Sequence, residues 1–133
     1  MLVGEANPAT GDPAMALLPV PRGGAGARLA TMIGLTDCEY LGTFYRANLC
    51  DVRWDRRAAS DKAAVIARLS GALQFDVVML GARVAAAFGL SRLGPWERSE
   101  RFIHVPHPSG RCRTWNDARQ RERLRVLMLE YRR

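Results

Sequence analysis

Apolar positions recur along this chain in two rhythms, short uninterrupted runs and stripes at helical spacing, and the two alternate. The runs "MLV" at 1–3, "FYRANLC" at 44–50, "FDVVML" at 75–80 and "FIHV" at 102–105 read as strands. "FDVVML" is the strongest of them: short, β-branched, apolar and closed by Gly81. After a Pro/Gly-rich loop from Asn7 to about Gly24, the spacing of Leu29, Met32 and Ile33 predicts a helix over 26–33. "TDCE" at 36–39 has the form of a capping box, Thr36 with Glu39, and opens a short helix through Leu41. Ser60 is placed to cap a helix running to about Leu73, with Ile66, Leu69 and Leu73 facing inward. A small helix is predicted over 82–88. Asn116 is placed to cap a last one over 117–131, with Leu124, Leu127 and Met128 inward.

Strands without polar alternation, separated by helices, argue for a parallel sheet covered on both faces. The expectation is an α/β fold: a single three-layer α/β/α domain over 1–133 with a short four-stranded, mainly parallel sheet. In such sheets ligands bind beyond the carboxyl ends of the strands. Those ends gather Gly4-Glu5-Ala6-Asn7-Pro8, Asn48, Gly81 and His107-Pro108-Ser109. His107 stands between two prolines, which stiffen the loop and remove amide donors, so its side chain is expected to be displayed. His104 shares a strand face with Phe102 and is expected to pack. His104-x-x-His107 with Cys112 is a weak metal pattern, and no metal is expected.

Charge sharpens the picture. The chain of 133 residues carries a formal +7. Its last 57 residues hold twelve arginines against five acids. Guanidinium forks suit phosphate oxygens, so a polyanionic partner is expected. The three cysteines, Cys38, Cys50 and Cys112, form no CxxC and imply neither a disulfide framework nor a zinc knuckle. No apolar run approaches the length of a membrane span, and "MLVGEANP" lacks the pattern of a signal peptide. A cytoplasmic, monomeric protein with no membrane partner is expected. "GGAGAR" lacks the GK[ST] of a phosphate-binding loop and does not follow a strand as the dinucleotide fingerprint does.

Taken in order, these motifs resemble the uracil-DNA glycosylase superfamily. Its first motif, a strand-exit Gly-x-(Asp/Asn/Ala)-Pro loop, is matched by Gly4-Glu5-Ala6-Asn7-Pro8, and its His-Pro-Ser motif by His107-Pro108-Ser109. Between them "RGGAGARL", "RANLC" and "DVVMLGARVAAAFG" resemble the family's Gly-rich helix start, its asparagine-bearing strand and its apolar strand ending in glycine. The resemblance implies a base-excising DNA glycosylase that acts on a flipped or single-stranded pyrimidine. It implies that His107 stabilises the departing base anion and Asn48 reads the pyrimidine edge. Asn7 or Glu5 would position the water, depending on whether Pro8 or Gly4 sets the register. Ala6, Ala9, Leu18 and Ser109 would line the substrate site, and Arg111 and Arg113 would meet DNA.

The sequence also departs from the family. The first motif has one residue more than usual. Ala9 stands where the most uracil-selective branch has a tyrosine, which leaves room for a 5-substituent. Leu17 and Leu18 replace the stacking aromatic. The family's iron–sulfur branch places a cysteine pair ahead of the first motif; Cys50 and Cys112 stand elsewhere, so no cofactor is expected. Two rival readings are a non-catalytic nucleic-acid-binding module on the same fold and an enzyme hydrolysing free nucleosides.

Overall fold

The computed structural model describes residues 1–6 and 11–131. The chain forms two compact units, each built from two separated segments: Met1–Ala16 with Arg46–His107, and Leu17–Tyr45 with Pro108–Arg133.

The first unit holds the sheet. β1 (Leu2–Ala6), β2 (Arg46–Cys50), β3 (Val77–Leu80), β4 (Arg98–Ser99) and β5 (Phe102–Val105) lie in the order β2-β1-β3-β5-β4. The α/β class stands, and the four expected strands are all present and mutually parallel. The expected strand count does not stand: the sheet is five-stranded and mixed, because β4 pairs antiparallel with β5. β4 is two residues long, too short to carry any rhythm in sequence. Backbone bonds between Trp96 and His104 and between His104 and Glu97 extend this hairpin, and Arg98 ties it to Asp76 ahead of β3 at 3.1 Å.

α3 (Arg56–Leu73) and α4 (Ala82–Ala87) pack on one face of the sheet, against Val3, Leu49, Val77 and Met79. Two expectations for α3 fail. Its cap is Asp55, which accepts from the Ala58 amide at 2.7 Å, and Ser60 lies inside the helix. Leu69 and Leu73 are exposed, at 48% and 69%; the buried stripe is Ala59, Ala63, Ile66 and Ser70. Small side chains along that stripe let the helix axis approach the sheet, and larger residues on the flanks do not reach it. The Ser70 hydroxyl satisfies the Phe75 carbonyl where the chain turns back into the sheet.

The second unit is helical: α1 (Ala25–Ile33), α2 (Asp37–Thr43) and α5 (Ala118–Glu130). Gly34 closes α1 in the left-handed region, with φ 78°. The capping box of α2 is formed in both directions, with Thr36 and Glu39 each bonding the other's backbone amide. α5 is capped by Asp117, one residue later than expected, and Asn116 belongs to a 3-10 turn over Arg113–Asn116. Leu124 and Met128 are buried as the stripe implies, while Leu127 is half-buried.

One glycine of "RGGAGARL" has a packing role. A Cβ on Gly26 would lie 2.1 Å from the Leu17 carbonyl oxygen and 2.2 Å from that of Leu18. The Leu17 carbonyl also accepts the buried Tyr40 hydroxyl at 3.1 Å, so this backbone cannot easily retreat. Gly71 in α3, by contrast, has open space at its Cβ position. In urea denaturation, Gly26→Ala is expected to lose about 1–3 kcal/mol through overpacking. Gly71→Ala is expected to gain about 0.5–1 kcal/mol from helix propensity.

Candidate functional site

Two of the expected strand exits meet in the first unit. β3 ends at Leu80, and Gly81 turns the chain into α4 with φ 104°, a conformation suited to glycine. Its amide donates to the Val105 carbonyl at 2.8 Å, so β3 and β5 stay paired up to their ends. His107 follows two residues after β5. A Cβ on Gly81 would lie 3.2 Å from the His107 Cβ and 3.3 Å from its Cδ2. The half-buried imidazole therefore rests against a bare α-carbon, and rigid Pro106 and Pro108 flank it.

Asn48 sits in the middle of β2 rather than at its exit. Its register partner on β1 is Gly4, one step past the pair Val3 and Ala47. Asn48 thus lies on the sheet face opposite the one that α3 and α4 cover. Leu2, Val78, Leu80, Ile103 and Val105 occupy that same face, all 2% exposed or less. Gly4 puts no side chain beside the Asn48 amide. Asn48 is 7% exposed, and its Oδ1 is buried with no hydrogen-bond partner among the described residues. A buried acceptor left unpaired costs about 1–3 kcal/mol, so its presence calls for a reason other than stability.

The remaining candidates separate. The Glu5 carboxylate lies 3.7 Å from the Arg83 guanidinium of α4, an ion pair on the covered face and away from Asn48. Ala6 pairs in register with Cys50 and packs against the core. Asn7 and Ala9 lie outside the described residues. Leu18, Ser109, Arg111 and Arg113 belong to the second unit. Leu18 and Ser109 are half-buried, and the two arginines are exposed. His104 is a packed histidine: it is 5% exposed, and its Nδ1 donates to the Leu93 carbonyl at 2.8 Å.

The second unit contains a pocket of about 410 Å³ that sequence reasoning did not find. Ser109 and Asn116 line it, together with Arg22, Arg28 and Arg121. Arg22 and Arg28 flank the Gly-rich helix start, which was a usable signal. Arg121 is hidden in sequence among the arginines of α5. What sets it apart is that it is half-buried and donates to the Trp115 carbonyl. Arg125 is engaged differently: its hydrogen bonds to Glu122 hold that exposed carboxyl below its ordinary pKa.

No family model matches the chain, and neither a curated protein nor a solved structure does.

If Asn48 is retained for a ligand, removing its amide should relieve the fold. Asn48→Leu is expected to leave stability unchanged or raise it by about 1–3 kcal/mol. An asparagine that served packing alone would instead destabilise on this change, and thermal and urea denaturation distinguish the two.

Proposed function

We propose that the protein is a small DNA glycosylase of the uracil-DNA glycosylase type, hydrolysing the N-glycosidic bond of uracil or a related pyrimidine in DNA. The observation that carries this reading is the buried Oδ1 of Asn48, which has no hydrogen-bond partner among the described residues. It lies on the same sheet whose neighbouring strand exits hold His107 against Gly81. Asn48 lies in β2 and His107 two residues beyond β5, with β1 and β3 between those strands. The α/β class with a mainly parallel sheet is compatible with this reading.

The chemistry follows from the donors and acceptors. An amide acceptor without a partner among the described residues suits a donor on the ligand. Uracil and thymine offer N3–H at that edge, whereas neutral cytosine offers a lone pair there. The Asn48 Nδ2 can donate to O4. When the C1′–N1 bond breaks, its electron pair passes to the base and charge gathers on O2. An imidazole N–H of His107 stabilises that charge as an oxyanion-hole donor does. Water, held by a polar residue of the segment Gly4–Pro8, adds to C1′, and the proton it loses passes through solvent to the released base anion. The ion pair of Glu5 with Arg83 turns that carboxylate toward α4, which favours Asn7 for this role. Extruding the base costs a few kcal/mol, and phosphate contacts from exposed Arg111 and Arg113 help to offset it.

A second reading rests on Arg111, Arg113 and Arg119, all exposed in the second unit. In that reading the protein binds nucleic acid without cleaving it, with affinity that falls steeply as salt rises.

A base-release assay separates the two. Oligonucleotides bearing uracil, mismatched thymine, 5-modified pyrimidine or cytosine, single- and double-stranded, are incubated with the protein and then treated with alkali. Scission at uracil or thymine but not at cytosine is expected. His107→Ala should lower the rate about 100- to 1000-fold, as loss of an oxyanion donor does. Gly81→Ala, which crowds the ring without removing it, should lower the rate less. Full activity in His107→Ala would overturn the mechanism, and salt-sensitive retention without scission would support the binding module.

A further inference from the structure

We propose that the pocket of the second unit binds the phosphate dianion of a nucleotide-sized phosphomonoester, held by Arg22, Arg28 and Arg121. This inference does not rest on the glycosylase reading, in which Arg22, Arg28 and Arg121 have no role; of the residues in that reading, Ser109 also lines this pocket.

The walls of the pocket carry three guanidinium groups and no aspartate or glutamate. None of these arginines is ion-paired among the described residues. Two of them are held in place by main chain rather than by acids. Arg28 donates Nε to the Gly23 carbonyl at 3.3 Å, and its guanidinium lies against Gly110, where an added Cβ would come within 2.6 Å of it. Arg121 donates Nη1 to the Trp115 carbonyl. A guanidinium has five N–H donors, so anchoring one leaves the fork available to an oxygen-rich anion. Anchoring also lowers the entropy that binding would cost.

Charge and size together select the ligand. Three cations match a dianion better than the single charge of a backbone phosphodiester. A volume of about 410 Å³ lies in the range of small-molecule sites and exceeds what a bare oxyanion fills. Met32, Pro108 and Trp115 give the lining apolar surface, and Thr31, Ser109 and Asn116 add neutral polar groups, a mixture suited to the sugar and base of a nucleotide. The phosphomonoester can come from a free mononucleotide or from the 5′-phosphorylated end of a nucleic-acid strand.

Isothermal titration with the intact protein tests this. The ligands are deoxyuridine monophosphate, deoxyuridine, inorganic phosphate, and one oligonucleotide with either a 5′-phosphate or a 5′-hydroxyl. The monophosphate is expected to bind at least tenfold more tightly than the nucleoside, with inorganic phosphate competing, since its oxygens add charge-assisted hydrogen bonds. Arg28→Met and Arg22→Met should each weaken the monophosphate about tenfold or more. Arg22 precedes α1, so its substitution leaves the helices intact if changes at Arg28 or Arg121 impair folding. Competition by the 5′-phosphorylated strand alone of the two oligonucleotides assigns the source to strand ends, and competition by neither assigns it to free nucleotides. Equal binding of nucleoside and nucleotide, equal competition by both oligonucleotides, or unchanged affinity in both arginine variants would overturn the proposal. Base release is unaffected by Arg22→Met if the two sites are separate, so failure here leaves the glycosylase reading standing and the reverse also holds.

Discussion

The first unit depends on β3. Its four residues, Val77 to Leu80, are buried on both faces and pair in parallel with β1 on one edge and β5 on the other. A parallel pair needs a crossover, so this one strand obliges the chain to leave the sheet and return on either side of it. α3 supplies the return from β2, and α4 with the β4 hairpin leads on to β5. The strand must also stop cleanly, and Gly81 ends it in a conformation that other residues adopt only under strain. The same bare α-carbon receives the His107 ring. One position therefore terminates the central strand, starts a helix and seats the histidine.

Much of this was legible because it follows from local rules. Runs such as "FDVVML" and "FIHV" have too few polar positions to be anything but buried strand, and the capping box at Thr36 specifies its own helix. The misreadings have physical causes. Leu69 and Leu73 recur at helical spacing with Ile66, but apart from Ile66 the buried face of α3 is two alanines and a serine, and small residues carry little hydrophobic signal. β4 owes its existence to its neighbour β5, not to its own two residues. At the candidate site, sequence named Asn48 and His107 from motif order, but not the unpaired acceptor, which depends on Gly4 being the register partner. Nor could it single out Arg121, whose neighbours in α5 are also arginines.

Asn48 and the arginine pocket show the same trade in two forms. A buried oxygen with no partner among the described residues costs free energy that an apolar residue would recover, and three guanidinium groups lining one pocket repel one another. Folded proteins tolerate such costs where a ligand supplies the missing partner, since binding then stabilises the fold by mass action. The rest of each unit compensates through ordinary means: an apolar sheet face, caps and closely packed glycines.

The division of both units into separated segments has a consequence for synthesis. α1 and α2 leave the ribosome early, but the helix that packs with α1, α5, lies beyond residues 46–107. At translation rates of about 5–20 residues per second, those roughly sixty intervening residues take about 3–12 s to emerge. Throughout that interval α1 lacks α5, a helix it packs against. During that window chaperones and proteases compete with folding for the second unit.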